Sequence, residues 1–188
     1  MLGRLESGAK GVVDNSTMTT GDYSPEYCTK SVLVLGCGNV LLGDDGFGPA
    51  VVEHIVQQKD VPENVCFLNV ETSSREILFD ITLSEKRPRK IIVVDAMECG
   101  REAGTVVELS LDLIPEKKID DFSMHQIPTS NLLREIRDFC GVEIELVVLQ
   151  PADIPEEVRP GLSRAAERAV PQAARLVLDR CALEPAGT

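Results

Sequence analysis

The chain has 188 residues and a net charge of -12, from 31 acidic against 19 basic side chains. Hydrophobic residues make up 43% and charged residues 27%, an ordinary globular composition with enough apolar matter for one full core. The acidic balance argues against nucleic acid or an anionic membrane as partner, and no apolar run approaches the ~20 residues of a membrane helix. Six cysteines (Cys28, Cys37, Cys66, Cys99, Cys140, Cys181) are scattered with no C-x-x-C pair, which leaves out a zinc ribbon or a thioredoxin-type motif. The N-terminal residues carry no export signal, so reduced thiols in a cytoplasmic protein are expected.

Residues 1 to about 27 are rich in Gly, Ser, Thr and Asp without sustained periodicity, and the stretch 1–30 is expected to be a disordered arm. Met18 inside it is an alternative natural start. The folded part is expected to begin at Ser31. VLVLG is a short apolar run ending in glycine, the pattern of a strand buried on both faces. DDGFGPAVVEHIVQQ follows as a helix with Val51, Val52, Ile55 and Val56 on its apolar face. NVCFLNV (64–70) reads as a second strand and SSREILFDITLS (73–84) as a second helix. KIIVVDAM (90–97) is the most hydrophobic strand and the expected centre of a sheet, and GTVVELS (104–110) is a more alternating, added strand. PTSNLLREIRDFCG (128–141) places Pro near the start and Gly at the end of a helix, and VEIELVVLQP (142–151) is a further strand. A last helix is expected from about Glu156 to Cys181, with a bend near Pro171. Strands alternating with helices predict a three-layer αβα sandwich with a mostly parallel twisted sheet of about five strands. The reading is one domain over 31–183 with a tail at 184–188.

Sites in open parallel sheets form outside the carboxyl ends of the strands. The first such loop, GCGNVLLGDDGFG, resembles a phosphate loop, but Leu41 stands at the third position of G-x-G-x-x-G. A helix N-terminus is worth only about 0.3–1 kcal/mol to an anion, and Asp44 and Asp45 oppose a pyrophosphate more strongly than that. No nucleotide is therefore expected. One of the two acids is a candidate helix N-cap, which leaves the other for a cation. Asn39 is expected to hold the turn by local hydrogen bonds, and Cys37 to pack beneath it. Asp95, after the apolar IIVV, is costly to bury unless it is capped, paired, protonated or bound to a cation. His54 lies about nine residues beyond Asp45 on the first helix, some ~13 Å along its axis, and cannot share its ligand shell. His125, in FSMHQIP, sits in a loop able to reach the strand ends, as an idle loop histidine or as a ligand. Asp45, Asp95 and His125 together form an O,O,N set that suits a borderline divalent ion such as Zn, Ni, Fe or Co. Cys99 follows Asp95 closely, with nothing to support thiolate ligation.

GCGNVLLGDDGFGPAVV, IIVVDAM and the downstream SMHQ resemble the nickel–iron hydrogenase maturation endopeptidases over residues 31–181. REILFDITLSEKRPRKIIVVDAMECGREAG and IPEKKIDDFSMHQIPTSNLL resemble the branch serving the coenzyme F420-reducing hydrogenase. The resemblance implies an endopeptidase that removes the C-terminal tail of the hydrogenase large-subunit precursor once nickel is inserted, with the nickel supplied by the substrate. It implies Asp45, Asp95 and His125 as the metal-contacting and catalytic residues, with either aspartate able to take a proton from water. One departure is VETSSRE after the second strand, where many members carry a glycine-rich turn. A non-catalytic binder of the metallated precursor is the alternative of a different class.

Overall fold

The computed structural model describes residues 24–58, 61–71, 73–114 and 130–182. A short helix α1 (Glu26–Thr29) leads into β1 (Val32–Cys37), then α2 (Phe47–Val56), β2 (Val65–Glu71), α3 (Ser74–Leu83), β3 (Lys90–Ala96), β4 (Val106–Leu109), α4 (Ser130–Cys140), β5 (Glu143–Leu149) and α5 (Arg164–Ala182). The five strands form one sheet in the order β2-β1-β3-β5-β4. All pairs are parallel except β4, which runs antiparallel to β5 at the edge.

Side-chain alternation along the strands divides the core into two layers. Val32, Val34, Ile92, Val94, Val147 and Leu149 face α2 and α5. Leu33, Leu35, Ile91, Val93, Leu146 and Val148 face the opposite layer, with Leu78 and Ile81 of α3 and Leu133 and Ile136 of α4. Because both faces are covered, β1 and β3 are buried at every position, and β3 is central, as the apolar run predicts. The fold is the expected αβα sandwich.

Three boundaries differ from the sequence reading. Packed chain begins before Ser31: Cys28 is buried against the α3 layer, and the Tyr27 hydroxyl donates to Asp80 at 2.7 Å. The first helix does not start at the acidic pair, because Gly43–Gly46 forms a 3₁₀ turn and α2 proper begins at Phe47. The last helix starts at Arg164 rather than Glu156. Pro160 and Gly161 (φ 100) interrupt the preceding segment, and the Ser163 hydroxyl caps the helix by accepting the Ala166 N–H at 3.2 Å. The Leu41–Gly43 stretch instead holds that segment through a parallel bridge between Leu42 and Arg159. α5 then runs through Pro171 as one helix.

The amino edge of the sheet is closed by Lys90, which is 1% exposed. Its ammonium sits 3.0 Å from Glu145 and 3.7 Å from Glu143 and donates to the Arg180 carbonyl at 3.3 Å, near the end of α5.

Glycine fixes how closely α2 approaches the sheet. A Cβ on Gly48 would lie 2.3 Å from the carbonyl oxygens of both Cys37 and Val94. Those are backbone atoms of the two central strands and cannot swing away. Gly48→Ala is therefore expected to cost about 3 kcal/mol by overpacking, seen as a lowered denaturant midpoint. A wild-type midpoint would show that α2 can lift off without penalty.

Candidate active site

The carboxyl edge of the sheet gathers the loop after β1, Asp95 at the end of β3, the turn after β2 and the segment after β5. The β1 loop is shaped by Gly38 (φ 111), where a Cβ would fall 1.9 Å from the Asp45 carbonyl oxygen. Within it, the Asn39 side chain accepts the Leu41 N–H at 2.9 Å, the local turn-holding role expected of this residue. The Asn39 N–H in turn donates to Asp45 Oδ2 at 2.7 Å.

The two acids of the DDG run have separate roles, and neither side chain caps the 3₁₀ turn or α2. Asp44 is completely buried. Its carboxylate accepts the Ala152 N–H at 2.8 Å, the Ser163 N–H at 2.6 Å and the Ser163 hydroxyl at 2.9 Å. It thus serves the start of α5 rather than that of α2. This role is invisible in sequence because its partners lie 108 and 119 residues away. Asp45 is half-buried and remains on the loop.

Asp95 is 6% exposed. It accepts the N–H of its neighbour Ala96 at 2.8 Å. Burial drives its pKa from 3.8 up to about 7; the Ala96 hydrogen bond pulls it down, and the charge of Asp45 pushes it further up. Asp45 and Asp95 are therefore electrostatic neighbours from separate loops. Cys37, 5% exposed, lies within the field of both. Its thiol is held well above its usual 9.0, first by burial and then by the charges of Asp95 and Asp45, so it packs as a neutral side chain under the turn. The Cys99 thiol donates to the Met97 carbonyl at 3.0 Å and is likewise pushed up, chiefly by burial. His54 is half-buried on α2. His125, the third member of the expected set, lies outside the described residues. Among the described residues, no group of three His, Cys, Asp or Glu side chains is arranged to hold a metal ion.

A buried carboxyl with a raised pKa within the field of a second carboxylate has the oxygen-donor chemistry that a divalent cation relieves.

The fold is shared with enzymes that mature hydrogenases. The hydrogenase maturating endopeptidase HybD from Escherichia coli superposes with a TM-score of 0.64 at 28% identity, covering 79% of this chain and 90% of that one. A [NiFe] hydrogenase maturation protease from Thermococcus kodakarensis shares the fold with a TM-score of 0.62 at 24% identity, over 80% of this chain and 91% of that one. The chain belongs to the hydrogenase maturation protease family, whose sequence pattern matches residues 49–180. A putative hydrogenase maturation protease of Methanocaldococcus jannaschii is 33% identical over 150 residues, 79% of this chain and 95% of that protein. The coenzyme F420 hydrogenase subunit delta of Methanothermobacter thermautotrophicus is 32% identical over 152 residues, 79% of this chain and 92% of its own length. No described helix is long and apolar enough to cross a membrane.

The raised pKa of Asp95 gives a signed expectation for the free protein. The folded chain holds this proton up to about pH 7, whereas the unfolded chain releases it near pH 4. The group is neutral in its effect below pH 4 and increasingly destabilising from there through pH 7. Asp95→Asn should therefore stabilise the metal-free protein at pH 8, by at most about 4 kcal/mol, and the gain should vanish by pH 4. Thermal melts of both proteins across that range check it, and a gain independent of pH would contradict the assignment.

Proposed function

We propose that this protein is the endopeptidase that removes the C-terminal tail of the large subunit of a [NiFe] hydrogenase, of the coenzyme F420-reducing type, after nickel has been inserted. Membership of the maturation protease family supports the reaction class. The likeness to an F420 hydrogenase delta subunit over most of both chains supports the branch. The substrate is a polypeptide precursor, and the nickel is part of that substrate.

The observation that carries the reading is the carboxylate pair at the strand ends. Asp95 is buried, adjacent in charge to Asp45, and titrates near neutrality. Such a pair, completed by His125, makes an O,O,N donor set for the precursor's nickel and so anchors the scissile bond beside it. A divalent ion in that place polarises a peptide carbonyl and lowers the pKa of water. Asp45 is held toward the loop by the Asn39 N–H, and Asp95 is fixed by the Ala96 N–H, so both donors are oriented before the substrate arrives. Either carboxylate can accept the proton of the attacking water, since a carboxyl raised toward 7 is matched to that task.

Mass spectrometry of precursor incubated with this protein tests the proposal. A defined C-terminal peptide should be lost from the nickel-loaded precursor, not from nickel-free precursor, and Asp95→Asn should slow the loss at least about 100-fold. Stable association with an intact nickel-loaded precursor would instead make the protein a binder.

A further inference from the structure

Three residues beyond Asp95 the chain turns along the rim of the same edge, and a single buried side chain from the neighbouring strand holds that turn. Gln150, just past β5, is 5% exposed. Its Oε1 accepts the N–H groups of Cys99 at 2.9 Å and Arg101 at 3.1 Å. Its Nε2 donates to Glu98 Oε2 at 2.7 Å and to the Pro151 carbonyl at 3.2 Å. The Gln150 backbone N–H donates to the Thr105 carbonyl, and its carbonyl accepts the Gly104 N–H, both at 2.9 Å. Every hydrogen-bonding group of this residue is used.

The two bonds to backbone N–H groups already close the turn. The bond to Glu98 adds something the turn does not require: it fixes the carboxylate of an exposed residue. A surface glutamate ordinarily samples many rotamers and loses that freedom only on binding. Here a buried amide removes the freedom in advance, the arrangement by which preorganisation favours association. Among the described residues, Glu98 forms no ion pair, and its neighbour Arg101 forms none either. An ionised carboxylate accepts hydrogen bonds only and bonds most strongly to cationic donors.

We infer that Gln150 is a positioning residue that presents the Glu98 carboxylate, on the rim beside Asp95, as a fixed anchor for a basic side chain of the polypeptide substrate. This inference rests on the protease reading of the site. It extends recognition beyond the nickel to the chemistry of the precursor chain, and it places the contact on the rim past the carboxyl ends of β3 and β5.

The test compares wild type, Glu98→Gln, Gln150→Glu and the double variant on nickel-loaded precursor. Readouts are precursor Kd, KM, kcat and melting temperature. Glu98→Gln keeps a hydrogen-bonding partner for Gln150 and removes only the charge. It should raise Kd and KM about tenfold, leave kcat within about twofold and leave the melting temperature unchanged. Gln150→Glu sets two acids against each other and should lower the melting temperature as well. The double variant rebuilds the bond with donor and acceptor exchanged. It should recover part of the melting temperature lost in Gln150→Glu, the Pro151 carbonyl still lacking its donor, but none of the Kd, a split that a purely structural role would not produce. Wild-type Kd and KM in Glu98→Gln would overturn the inference. A wild-type protein that binds precursor without cleaving it would sink the protease reading alone, while the Kd comparison still decides the role of Glu98.

Discussion

A carboxylate with no exposed surface, Asp44, joins the first loop of the sheet to the beginning of the last helix by accepting three hydrogen bonds from Ala152 and Ser163. Burying a carboxyl is costly unless such donors surround it, and here the Ala152 N–H, just past β5, and the N–H and hydroxyl of Ser163, at the start of α5, supply the compensation. The arrangement of the carboxyl edge depends on this contact. With the segment 152–163 tied to the β1 loop, α5 starts where Ser163 caps it, and the Leu42–Arg159 bridge closes the loop from outside. Asp45, one residue along, is then held by the backbone on both sides.

The two ends of the sheet hold their acids in different ways. At the amino edge, Lys90 meets Glu143 and Glu145 in a buried charge cluster. At the carboxyl edge, Asp95 has a backbone hydrogen bond and an acidic neighbour, and its pKa rises accordingly. One end of the sheet thus carries a buried ion-pair cluster, and the other a buried carboxyl whose pKa is raised. That asymmetry distinguishes a structural charge cluster from a binding edge. It also explains why the glycines of the β1 loop, which resemble a phosphate cradle, serve close packing of α2 and a tight turn around a carboxylate.

Much of this was legible in the sequence, for definite reasons. β1 and β3 are read without ambiguity because runs such as VLVL and IIVV suit only a strand covered on both faces, and the position of Asp95 at the end of such a run marks it as costly. The pairing of Asp45 with Asp95 follows from the rule that sites form at the carboxyl ends of parallel strands. The start of α5 was not legible. Glu156 to Val158 can read as a helix start, but Pro160 and Gly161 (φ 100) break the segment, and the bridge from Arg159 to Leu42 and the hold of Asp44 on Ser163 keep it irregular. For the same reason Asp44 and Asp45 looked interchangeable as helix caps, whereas Asp44 reaches across the molecule and Asp45 stays in its loop. Gln150 carried a signal that went unused: a polar amide closing the apolar run ELVVL at a strand end, where an unpaired amide would be expensive.

The claim on which the account turns is that the buried Asp95 carboxyl feels the charge of Asp45. Site-resolved carbon NMR of labelled aspartate in the metal-free protein measures it directly. The account predicts an Asp95 midpoint of about 7, falling when Asp45 is replaced by asparagine because one cause of the upward shift is removed. A midpoint near 4, unmoved by Asp45→Asn, would contradict it.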